Sequence, residues 1–155
     1  MKALLLIAHG SRRAESNTEI ARLAERVAQL AERRFDIVEH AFLELAEPSI
    51  PDGIERCIEQ GAREVRVLPY FLARGTHVAE DIPGIVDAKR AERPEIEIVV
   101  TDYLGTAEEL PGLLLGLATT GPDRDRGAGD AVEAGGRTEN DGSSGGYRAA
   151  SIDRG

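Results

Sequence analysis

The sequence predicts an α/β domain: a parallel, flavodoxin-like four-stranded sheet flanked by helices, in the order βαβαβαβα. Two observations carry that prediction. Short apolar runs alternate with segments whose apolar residues recur at helical spacing, and glycine or proline stands at the breaks between them. The pattern then stops after Ala118, where the composition changes. Such an order implies right-handed crossovers and a sheet covered on both faces.

The first strand is the run Ala3 to Ala8, and Ile20, Leu23, Ala24, Val27, Leu30 and Ala31 mark the helix after it. The second run, Ile37 to Leu45, leads through Pro48 and Pro51 to a short helix carrying Ile54, Cys57 and Ile58. Gly61 stands at the C-cap position of that helix. The third strand covers Val65 to Leu68, with Pro69 limiting its ladder. A helix over Ile82 to Glu92, a strand over Ile96 to Val100 and a helix over Ala107 to Leu117 complete the domain, residues 1–118.

Residues 119–155 read as a glycine-rich, disordered tail. Nine of the 17 glycines lie between Gly121 and Gly155, where Val132 and Ile152 are the only large aliphatic residues. Such a segment cannot bury enough surface to offset its ordering entropy. Its functional alternative is a tether or partner-binding segment.

Composition narrows the function. The chain has 155 residues and a net charge of −9, with three Phe, three Tyr and no Trp, a poor match for nucleic acid or an anionic membrane. A single cysteine, Cys57, excludes an internal disulfide framework and a Cys-only metal site. No run approaches the ~20 apolar residues of a membrane span, and Met1-Lys2 precedes no signal-peptide pattern, so a cytoplasmic location is expected.

In doubly wound folds ligands collect at the carboxyl ends of the strands. Two of the three histidines fall there: His9 ends the first strand beside Gly10, and His77 follows the third strand just after Gly75. If the first and third strands are neighbours, the two imidazoles converge on one small object. Glu44, flanked by leucines, is costly there unless paired, ligating or at the mouth of a site. His40 lies roughly 13 Å along the strand from Glu44 and reads as an edge residue. Asp81 could orient His77, but Pro83 would break a helix that included both, so Asp81 reads as the N-cap of the third helix. Arg12, Arg13 and Arg74 border the two histidine loops and are suited to substrate carboxylates or phosphates; the bland reading is solvated surface.

Two histidines and a glutamate suit a borderline divalent ion, Co²⁺, Ni²⁺, Fe²⁺ or Zn²⁺, held weakly and with open coordination positions. Such a site either catalyses or passes the ion on.

The motifs Leu6-Ile7-Ala8-His9-Gly10-Ser11, Ala41-Phe42-Leu43-Glu44-Leu45-Ala46-Glu47-Pro48-Ser49-Ile50, Val67-Leu68-Pro69-Tyr70-Phe71-Leu72 and Gly75-Thr76-His77-Val78-Ala79-Glu80-Asp81-Ile82-Pro83 are spread in this order through the domain over residues 2–118. Together they resemble the small sirohydrochlorin cobaltochelatase/ferrochelatase family, the class II tetrapyrrole chelatases. The resemblance implies a chelatase-like half-domain that inserts a divalent metal, Co²⁺ foremost with Fe²⁺ or Ni²⁺ as alternatives, into a sirohydrochlorin-like tetrapyrrole without ATP or an organic cofactor. It implies His9 and His77 as metal ligands, Glu44 as an acidic site residue, and a homodimer of such halves. A non-catalytic metal carrier is the rival reading. Phosphoryl transfer through His9 fits less well, because Ala8 and Gly10 flank it.

Overall fold

The computed structural model describes residues 1–120. Strand β1 (Lys2–Ala8) is a continuous apolar run, and Ala3 to Ala8 are all buried, as befits a central strand covered on both faces. It pairs in parallel with β2 (Ile37–Phe42) on one side and β3 (Glu64–Pro69) on the other; β3 pairs with β4 (Glu97–Val100). The sheet order is therefore β2-β1-β3-β4, and the first and third strands are neighbours.

Alternation along the strands separates two faces. Ala3, Leu5, Ile7, Val65, Val67 and Ile98 point into one core, which α2 (Ile50–Glu59) and α3 (Ile82–Glu92) cover with Ile54, Cys57, Ile82 and Val86. On the opposite face α1 (Ala14–Ala31) packs against β2. Its Val27, Leu30 and Ala31 form an apolar groove with Leu4 and Phe35.

Local chemistry sets the helix ends. Ser49 caps α2 by accepting from the Asp52 N–H at 3.3 Å, Pro51 occupies the first turn, and Gly61 turns the chain out at φ +100°. Glu55 of α2 is bound by Lys89 at 3.1 Å and by Arg93, which joins α2 to α3. Cys57 is fully buried, and that burial pushes its thiol up to about 12.

Three boundaries differ from the sequence expectation by more than one residue. The second strand stops at Phe42 rather than Leu45: Leu43 still packs on the core, but Leu45 adopts φ +64° and turns the chain away. The last helix, α4, is Leu110–Thr120 rather than Ala107 to Leu117. Pro111 cannot stand in a helix interior, so the helix starts next to it, after a 3₁₀ turn at Leu104–Thr106. Thr119 and Thr120, read as tail, form the end of α4; the rest of the tail reading, residues 121–155, lies outside the described residues.

Candidate metal centre

The site grows out of the sheet's carboxyl edge. Past the end of β1 the pairing with β2 continues for two residues: the Leu43 N–H donates to Ala8 O at 2.9 Å and the Glu44 N–H to His9 O at 3.0 Å. This extension sets Glu44 beside His9, with Oε1 3.1 Å from Nε2. Gly10 turns the chain at φ +94° against the Glu44 backbone. Asn17 pins the following loop, accepting from the Ser11 N–H at 3.0 Å and donating to Ser11 O at 2.7 Å.

From β3 the chain loops out and returns in a π-type turn, His77–Asp81, whose i→i+5 bond runs from the Ile82 N–H to His77 O. The turn brings the His77 ring to 5.2 Å from that of His9, edge to face at 73°. One ligand atom from each of His9, Glu44 and His77 lies within 4.8 Å of the others. Their side chains remain 44%, 51% and 43% exposed, so the centre is open to a large flat ligand. A cleft of about 600 Å³ on one side is lined by Leu43, Glu44, His77, Glu80 and Ile85. A hollow of about 300 Å³ on the other is lined by His9, Ser11, Asn17, Phe42 and Tyr70.

Hydrogen bonds aim the rings. His77 Nδ1 lies 2.6 Å from the Asp81 carboxylate, and His9 Nδ1 lies 3.1 Å from Gly10 O. Because each partner can only accept, each Nδ1 carries a proton. His9 Nε2 is left to face the Glu44 carboxylate, a pair that a shared proton or a bound metal ion would bridge.

Asp81 corrects the sequence reading. It is helical, caps nothing with its side chain, and instead orients His77. The π-type turn resolves the objection from Pro83, since the ladder shifts by one residue just before the proline and α3 starts with Pro83 in its first turn. Glu80 and Asn17 were not singled out from sequence; helical spacing after His77 was the one signal for Glu80, and only folding brings Asn17 to Ser11.

Arg12, Arg13 and Arg74 are exposed, and their guanidinium groups make no hydrogen bond or ion pair with the described residues. Arg13 immediately precedes α1. His40 lies away from the centre on edge strand β2, edge to face with Phe42 at 5.5 Å, and burial lowers its pKa.

An open parallel α/β sheet with a two-histidine, one-glutamate cluster at its carboxyl edge defines a doubly wound protein with a candidate metal centre where such folds collect ligands. The CbiX family model matches residues 3–119, and the chain belongs to that family. It is 43% identical over 86 residues to the sirohydrochlorin cobaltochelatase of Methanocaldococcus jannaschii, spanning 56% of this chain and 59% of that one. It is 42% identical over 103 residues to the chloroplastic sirohydrochlorin ferrochelatase of Arabidopsis thaliana, spanning 66% of this chain and 44% of that one. The chain thus matches about half of the length of these relatives. The crystal structure of the sirohydrochlorin chelatase SirB from Bacillus subtilis subspecies spizizenii in complex with cobalt is similar at TM-score 0.68 and 31% identity, covering 74% of this chain and 48% of that one.

Proposed function

We propose that the protein is a sirohydrochlorin chelatase, a lyase that inserts a divalent metal, Co²⁺ foremost, into a modified tetrapyrrole without ATP. The observation that carries this reading is the convergence of His9, Glu44 and His77 at one exposed point.

The metal is a substrate here, and the site suits its transit. Two neutral imidazoles bind an ion firmly enough to strip part of its water shell, yet leave positions open for pyrrole nitrogens. Insertion releases two pyrrole protons for each M²⁺ taken up. Glu44 stands at the centre to accept one, and an imidazole that has given up the metal accepts another. Asp81 keeps the His77 ring aimed as this exchange proceeds. Arg12, Arg13 and Arg74, free of protein partners among the described residues, receive the substrate's rim carboxylates and offset the repulsion of a chain with net charge −9. The choice among Co²⁺, Fe²⁺ and Ni²⁺ follows cellular supply as well as ligand type. A homodimer in the cytoplasm belongs to the same proposal.

The test is an anaerobic absorbance assay with sirohydrochlorin and each of Co²⁺, Fe²⁺ and Ni²⁺, run beside a His9→Ala/His77→Ala variant. Conversion above the metal-only blank, abolished in the variant, supports the chelatase and ranks its metals. Metal binding with conversion no faster than the blank rejects it in favour of a carrier.

A further inference from the structure

Gly84 weakens the helix it stands in, and neither packing nor backbone conformation accounts for it. It is the third residue of α3, and Asp81 (φ −68°, ψ −50°) and Ile82 (φ −62°, ψ −49°) before it are already helical. Gly84 therefore lies inside a continuous helical run, where glycine is less favourable than alanine. At Gly10 and Gly53 a β-carbon would strike a neighbour. At Gly84 it would meet nothing within 4 Å among the described residues. Its φ lies outside the left-handed region that calls for glycine.

What the missing side chain leaves is space beside the metal centre. Gly84 lines the cleft of about 600 Å³ together with Glu44, His77, Leu43, Ile85 and Ala88. At ~1.5 Å of rise per residue it stands about 10 Å along the helical run from His77, on the same side. Leu43 and Ile85 pack on the core, which fixes them and keeps the space from closing. The charged groups on the cleft are the carboxylates of Glu44, Glu80 and Asp81. They would repel a carboxylate arm of the substrate. A flat, uncharged ring instead matches Leu43, Ile85 and Ala88.

We propose that Gly84 is a specificity-determining residue for the tetrapyrrole: one pyrrole ring of the macrocycle lies over its bare backbone, in the cleft that Leu43 and Ile85 also line. The inference rests on the chelatase reading for the identity of the ligand and adds where the ring sits. The step of about 10 Å from His77 to Gly84 is of the order of the reach from a macrocycle's centre to its rim. A ring over Gly84 therefore brings the pyrrole nitrogens toward an ion held by His9 and His77, and leaves the carboxylate arms to the arginines outside the cleft. A side chain at position 84 would lift or displace that ring. The fold tolerates such a side chain; the substrate does not.

The experiment compares the 155-residue chain with its Gly84→Ala and Gly84→Leu variants in three measurements. Urea unfolding reads the helix, Co²⁺ binding without tetrapyrrole reads the metal centre, and absorbance titration with metal-free sirohydrochlorin reads the cleft. Gly84→Ala should raise the urea midpoint and leave Co²⁺ affinity unchanged. Its Kd for sirohydrochlorin should rise about 10-fold, and that of Gly84→Leu at least ~100-fold, the scale on which a fitted pocket responds to added carbon. A glycine kept for the fold would give the reverse: lower stability and unchanged sirohydrochlorin binding. Equal tetrapyrrole binding by all three chains, or a loss of Co²⁺ affinity in Gly84→Ala, overturns the inference and leaves the chelatase reading standing. If the variants bind sirohydrochlorin more weakly as expected but the wild type inserts no metal above the metal-only blank, the chelatase reading fails alone. A wild-type chain that does not bind sirohydrochlorin overturns both.

Discussion

The backbone of Gly10 sits so close to the carbonyl oxygen of Glu44 that a β-carbon at position 10 would overlap it. The two loops that carry His9 and Glu44 are therefore packed backbone to backbone, and their separation is set by the absence of a side chain. Gly10→Ala should open that gap and strain a φ of +94° at once. We expect a loss of about 1–3 kcal/mol in urea unfolding, together with weakened Co²⁺ binding by calorimetry. Unchanged metal affinity would show that the Glu44 loop is not held by this contact.

Asp81 holds His77 through Nδ1 at 2.6 Å. Asp81→Ala should weaken Co²⁺ binding roughly 10- to 100-fold, the usual effect of losing a partner that orients a ligand. Asp81→Asn still offers an acceptor to Nδ1 and should recover most of the loss. If asparagine and alanine behave alike, it is the carboxylate's charge that matters and not the aim of the ring.

Arg74 is exposed three residues before His77 and makes no pair with the described residues. Arg74→Ala should raise KM for sirohydrochlorin steeply while metal binding in the absence of tetrapyrrole stays the same. Unchanged steady-state kinetics would retire its substrate role.

His40 gives the fold a response to acid. Burial is the main cause that lowers its pKa below 6.5; Glu39 and Glu25 pull it up and Arg56 pushes it further down. The folded chain then binds fewer protons here than the unfolded chain. The stability contributed is present above the unfolded value of 6.5 and is lost as pH falls through it toward the folded pKa. Urea midpoints should drop between pH 7 and pH 5.5, and His40→Gln should lessen that drop. An equal drop in the variant would place the acid response elsewhere.

Much of this molecule is legible in its sequence where one physical signal dominates. The apolar run of β1 has no competing interpretation, and α3 falls on Ile82–Glu92 as its pattern predicts. The convergence of His9 and His77 follows from strand order alone, since neighbouring parallel strands deliver their ends to one edge. Failures occur where two signals overlap. Leu43 is apolar because it packs on the core from outside the strand, which prolongs the apparent reach of β2. Pro83 argues against an α-helix through His77, yet a π-type turn tolerates it, and so the role of Asp81 is lost in a linear reading. The Asn17–Ser11 pairing spans a loop and a helix start and leaves no periodic trace.

Cys57 has a consequence for how the protein meets metal ions in solution. A thiolate is the strongest soft donor a protein can offer, and one near a transit site would trap Cu⁺ or Zn²⁺ or invite oxidation by redox-active iron and cobalt. Here the sulfur is buried on α2 in the core, and that burial pushes its thiol up to about 12. At the sheet edge the candidate centre offers an ion nitrogen and oxygen donors, from His9, His77 and Glu44. Sequestering the one thiol therefore keeps the chain's strongest soft donor away from the proposed metal centre.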